Sequence, residues 1–145
     1  MPPLYYQEVT MSITLIKSIL TTVALALALL QGLEMAQLKG YLHLLPVEKR
    51  RLRDMHRAGG VTALFLLALI AVLCIVSRGF SFASLRVTLH AILGAVVILV
   101  LVVKALITNR FRQYLRFNNG LGALAGLLVL GIFLLSALWY FIKGY

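Results

Sequence analysis

Four apolar stretches, each close to twenty residues long, leave this chain few ways to fold. They run from about Ile13 to Leu33, Gly59 to Val76, Val87 to Ile107 and Leu121 to Ile142. A hydrocarbon core of about 30 Å needs roughly 20 helical residues to cross it, so each stretch is long enough for one passage. A spanning segment must satisfy its own backbone polar groups, which restricts it to a helix or a closed barrel. The run from Ala91 to Val103 has none of the apolar–polar alternation of a barrel strand, so the helix is the reading. The predicted fold is all-α: one transmembrane domain over residues 1–145, an integral membrane four-helix bundle with both termini on the outer side.

Composition agrees with this and excludes other classes. The chain is 62% hydrophobic and only 12% charged, with a mean hydropathy of +1.01, where a soluble domain carries roughly 25% charged residues. A soluble enzyme, a disordered chain and a nucleic-acid binder are all excluded, despite the net charge of +10. That charge is large because there are only four acids, Glu8, Glu34, Glu48 and Asp54. They supply almost nothing from which to build a carboxylate dyad or an ion path.

The basic residues set the orientation. Lys39, Lys49, Arg50, Arg51, Arg53 and Arg57 follow the first stretch, and Lys104, Arg110, Arg112 and Arg116 follow or end the third. The other side holds Lys17, Arg78, Arg86 and Lys143. Lys and Arg accumulate in cytoplasmic loops, so the two basic loops are placed in the cytoplasm of a cell whose inner (plasma) membrane the chain crosses four times. Tyr5, Tyr6, Phe80, Phe82, Trp139, Tyr140 and Tyr145 then form an aromatic belt at the outer interface. The first stretch is expected to be a retained helix and not a signal peptide, because Glu8 precedes it and no Lys or Arg occurs before Lys17. Residues 34–58 are expected to continue the first two helices past the membrane and to turn near Leu44 to Val47, with Pro46 suited to the start of a helix. The charged run from Glu48 to Arg53 fits positive-inside topology and attraction to anionic lipid.

Few residues carry chemistry. The single cysteine, Cys74, lies in an apolar run, where a thiol packs as a small apolar side chain. There is no zinc-spaced Cys/His cluster, no haem-attachment CxxCH, no phosphate-binding loop and no Ser/His/Asp set in the sequence. The expectation is a protein that is not an enzyme. The histidines are more informative. His56 and Gly60, and again His90 and Gly94, share the pattern H-x-x-x-G at the start of an apolar stretch. Four-residue spacing stacks His and Gly on one helix face, and the missing side chain opens room beside the imidazole. That room suits haem b, with His90 and His56 as iron ligands, and it equally suits close helix packing. Gly122 and Gly126 repeat the packing spacing without a histidine.

Geometry limits the haem reading. Antiparallel packing puts His90 level with about residue 73 of the second helix, seventeen residues and about 25 Å from His56 at 1.5 Å per residue. One iron cannot take both, so a second ligand has to be His43, Met55, Lys17 or the symmetry mate in a homodimer. The packing also brings Glu34 to the level of His56. Lys104 is close enough to the cytoplasmic end to snorkel, and His43 is an interfacial loop residue.

The stretches Met55-His56-Arg57 with Gly59 and Gly60, Val87 to Gly94, Lys104, and Leu135 to Phe141 together resemble a family of small four-helix bacterial membrane proteins of unknown function. Their layout is broadly similar to cytochrome b561 and ferric-reductase-type bundles. The resemblance covers about Leu33 to Phe141 and implies electron transport through haem. Members of such a family often carry a further histidine late in the second helix, facing the one at His90. Here Leu73 or Val72, beside Cys74, stands in that place, and this departure favours a retained scaffold over a haem protein. The leading expectation is a non-catalytic accessory subunit of a larger redox or energy-converting membrane complex, in contact with lipid, other membrane subunits or a second copy. The alternative is a b-type cytochrome. A transporter ranks last, because the cores offer only Thr21, Thr22, Thr62 and Ser136 as polar groups.

Overall fold

The structure is a computed structural model that describes residues 4–43, 46–78 and 84–143. Every regular element among the described residues is helical. Helix α1 spans Leu4–Leu38, α2 Lys49–Arg78 and α3 Leu85–Asn109. A 3-10 segment, Arg112–Phe117, leads into α4, Asn118–Phe133. A π-helical turn, Leu134–Leu138, then joins α4 to a last short helix, α5, Trp139–Lys143. Four helical spans are long and apolar enough to cross a membrane: Ser12–Leu38, Lys49–Ser77, Leu85–Asn109 and Gln113–Lys143.

Local chemistry sets several of these boundaries. α1 ends at Gly40, whose φ of +82° is open to glycine at no steric cost. The Gly40 amide donates to the Gln37 carbonyl, and the Tyr41 amide to that of Ala36, each at 3.0 Å. This pair of bonds is a Schellman cap, and it satisfies carbonyls that the helix end would otherwise leave open. α3 begins at Ser84, whose hydroxyl accepts from the Val87 amide at 3.3 Å. Residues 44 and 45 of the expected turn lie outside the described residues, as do Phe80, Phe82 and Tyr145 of the expected aromatic belt.

The spans alternate in direction, which the polar contacts between them establish. Lys17 of α1 donates to Ser77 near the end of α2, while Glu34 near the end of α1 meets His56 near the start of α2. Arg57 of α2 reaches Asn109 at the end of α3. Thr108 of α3 touches Asn118 at the start of α4, and Arg86 at the start of α3 lies over Trp139 of α5. One end of the bundle thus holds Lys17, Arg86, His90 and Trp139. The other holds Glu34, His56, Lys104 and Asn118.

The core comes from every span. Ala24 of α1, Leu67 and Ile70 of α2, Val97 and Val100 of α3, and Ala125, Val129 and Ile132 of α4 form one buried cluster. Their spacings of three and four keep each set on one helix face. The bundle buries little else within itself. Phe65, Val76 and Leu127 are among many large apolar side chains that face outward, an arrangement that water would penalise and hydrocarbon accepts. α1 packs closely on α2 and α4, and α3 on α4, whereas α2 and α3 touch least of the neighbouring pairs.

Candidate functional site

The loose seam between α2 and α3 borders a cavity of about 430 Å³ at the His90 end of the bundle. Its α1 wall is a polar stripe. Thr14, Lys17, Ser18 and Thr21 line it at spacings of three, one and three, which is one helix face. The hydroxyls satisfy themselves within the helix: Ser18 donates to the Thr14 carbonyl at 3.0 Å and Thr21 to that of Lys17 at 2.8 Å. α2 contributes Leu67, Ile70, Ala71, Cys74 and Ile75. Val72 is 55% exposed and points away, so the α2 face opposite His90 is carried by Ala71 and Cys74 and not by the Val72 or Leu73 position expected from sequence. The physical reason is the helical period, which places the cavity face at 67, 70/71 and 74/75.

α3 supplies the residues that the histidine pattern anticipates. His90 and Gly94 both line the cavity, one turn apart. A Cβ built on Gly94 meets nothing within 4 Å, so the glycine leaves real space beside the imidazole. The Nδ1 atom of His90 is buried and has no hydrogen-bond partner among the described residues. Native structures leave few buried polar atoms in that condition, and each asks for an explanation. One turn above His90, Arg86 lines the mouth, its guanidinium carbon 4.9 Å from the Trp139 ring centre. Lys143 approaches the same ring at 5.5 Å. The π turn lies alongside, with Leu135 and Ser136 in the wall. Wide π turns inside α-helices occur often at functional sites.

His56 and Gly60 lie elsewhere. His56 Nδ1 stands 3.4 Å from Glu34 Oε2, an ion-pair distance whose orientation falls short of a hydrogen bond. Gln31 donates to the same carboxylate oxygen at 2.9 Å. Gly59 lets this arrangement close, since a Cβ there would run into Gln31 Nε2, while one at Gly60 would only touch Gln31 Oε1 at 3.6 Å. Lys104 is half-buried and turned toward α4, its Nζ 3.4 Å from where a Gly122 Cβ would stand. His43 is exposed in the connection between α1 and α2. Lys17 lines the His90 cavity and Glu34 meets His56, so the seventeen residues of α1 between them set the two histidines about 25 Å apart along the bundle.

Sequence reasoning missed most of the partners at the mouth. In the sequence Arg86 stands out only as a topology charge, Lys17 as a topology charge and a spare haem ligand, and Trp139 as part of the aromatic belt and of the Leu135 to Phe141 stretch; nothing there brings the three to one cavity. The stripe of Thr14, Lys17, Ser18 and Thr21 is the available signal, because it puts four polar residues on one helix face within the first apolar stretch. No group of three or more His, Cys, Asp or Glu side chains converges among the described residues.

These features define a four-helix bundle of membrane type, with a polar-mouthed, apolar-walled cavity at one end and a Gln–Glu–His cluster at the other. The chain belongs to DUF6529, a family of unknown function, whose pattern it matches over residues 4–144. No curated protein and no solved structure shows significant similarity to it.

Proposed function

We propose that this chain is a non-catalytic integral subunit of a larger redox or energy-converting complex of the inner (plasma) membrane, and that it holds an amphiphilic ligand in the His90 cavity. The observation that carries the reading is the cavity itself: apolar in its depth, cationic at its mouth, and containing a buried imidazole nitrogen with no hydrogen-bond partner among the described residues. Binding sites are typically concave and mostly apolar, with a few placed polar groups. The sparse self-burial of the spans leaves a wide outward surface for lipid and neighbouring subunits. A tagged chain drawn from its native membrane in mild detergent is expected to migrate within a larger assembly on native gels. A chain that always runs as a lone protomer with no bound small molecule overturns this reading.

A second reading, a b-type cytochrome with a layout similar to cytochrome b561, is favoured by the orphaned His90 nitrogen and the open space at Gly94. His90 would ligate the iron, and Lys17 and Arg86 would pair with the propionates. The second axial ligand would come from a partner protomer, since His56 lies at the other end. A Soret band in protein from native membranes, lost in His90→Ala, supports it, and a featureless visible spectrum ends it.

A further inference from the structure

We propose that the cavity is a site for one anionic phospholipid, held with its phosphate between Arg86, Lys17 and Lys143 and one acyl chain laid along α3 in the bundle interior. The proposal rests on the ligand-holding reading above and names the ligand's chemistry.

Charge decides the sign of the headgroup. Lys17, Arg86 and Trp139 line the cavity together, and Arg86 and Lys143 both approach the Trp139 ring, so two cations flank that ring and a third stands in the same cavity wall. Among the described residues the lining contains no carboxylate. Glu34, Glu48 and Asp54 belong to the opposite end of the bundle, and Glu8 precedes Lys17 by nine residues of α1, about 13 Å. A phosphodiester is the anion that membranes present at this level, and each nearby Lys or Arg favours it.

Depth decides the body. Along α3 the lining runs from Arg86 to Ile98, twelve residues or about 18 Å. That is close to the half-thickness of a hydrocarbon core, about 15 Å. A lipid standing in its own leaflet has this length from phosphate to chain end. The α2–α3 seam is the least packed of the bundle, and Ala91 and Ala95 on its α3 side are exposed while lining the cavity. An acyl chain therefore slides in sideways from the bilayer.

The same pose accounts for His90. It lies one turn below Arg86, about 6 Å deeper, where a phospholipid carries its ester carbonyls. A carbonyl oxygen accepts from an imidazole N–H, which gives the buried Nδ1 atom the partner it lacks among the described residues.

Trp139 is the only tryptophan of the chain, so it reports on the mouth without interference. The full-length protein is reconstituted in phosphatidylcholine bilayers doped with lipids brominated on the acyl chain, and Trp139 quenching is followed. Brominated phosphatidylglycerol is expected to half-saturate at about five-fold lower mole fraction than brominated phosphatidylcholine. Arg86→Gln should bring the two curves together, as should the milder Lys143→Gln in part. Gly94→Leu, which grows into open space, should remove the selective component while circular dichroism and thermal melting stay as in the wild type. Equal quenching by both lipids in the wild type, or selectivity that survives Arg86→Gln, overturns the proposal. If selectivity is absent but another amphiphile, such as a porphyrin, co-purifies and is lost in Gly94→Leu, the lipid assignment fails and the ligand-holding subunit stands. If no molecule co-purifies and Gly94→Leu changes nothing, both fall.

Discussion

Gly59 and Gly60 are chemically identical neighbours whose surroundings differ by one side chain. A Cβ at Gly59 displaces the Gln31 amide, and one at Gly60 makes only ordinary contact with it. Gln31 is also the donor that holds Glu34 beside His56. Both Gly→Ala changes share the gain in helix propensity, so their difference isolates the Gln31–Glu34 hydrogen bond. Gly60→Ala is expected to be more stable than Gly59→Ala by about 1 kcal/mol, the net worth of such a bond. Unfolding in mixed micelles measures it, and adding Gln31→Ala to both should erase the gap. A gap that persists without Gln31 would place the cost in the backbone instead. Gly40 tests a different property. Its φ of +82° penalises any Cβ, so Gly40→Ala should cost about 1 kcal/mol or more, and Gly40→Asn less. The same melting series reads both.

The π turn at Leu134–Leu138 is the element that no sequence rule anticipated, since Leu-Leu-Ser-Ala-Leu reads as ordinary apolar helix. A π turn holds one residue more than the α turn it replaces, so deleting the outward-facing Leu134 should let α4 run directly into α5 with Trp139 on its original face. The bundle should keep its helicity and melt within a few degrees of the wild type, while the wall formed by Leu135 and Ser136 changes and ligand retention falls. Unchanged retention would show that the wide turn plays no part in the cavity. The four spans, their antiparallel order and the meeting of Glu34 with His56 were all legible, because long apolar runs, charge bias and helical rise are properties of the chain read in one dimension. The cavity was only half legible. His90 and Gly94 stood out because their spacing is periodic, whereas Arg86 and Trp139 meet through the closure of α3 on α5, fifty-three residues apart in sequence. The 3-10 segment Arg112–Phe117 was likewise hidden in a basic loop.

At the scale of the whole molecule, the bundle carries two polar ends joined by an apolar middle. Ala24, Leu67, Val97 and Val129 occupy that middle. Within the described residues no hydrogen-bond chain crosses it, and the hydroxyls of Ser18, Thr21 and Thr22 turn back onto their own helix. Coupling between ends about 25 Å apart would have to pass through rigid side-chain packing alone. Substitutions more than about 10 Å apart with no shared partner usually add within roughly 0.5 kcal/mol. His56→Ala and His90→Ala should therefore be additive in unfolding free energy. Lipid selectivity read at Trp139 should change in His90→Ala and stay put in His56→Ala. A coupling above about 1 kcal/mol, or a loss of selectivity in His56→Ala, would mean that the two histidines share a ligand. Within one protomer the lengths of α1 and α2 forbid that, so such a result would require a second copy packed head to tail, with the His56 end of one chain against the His90 end of the next.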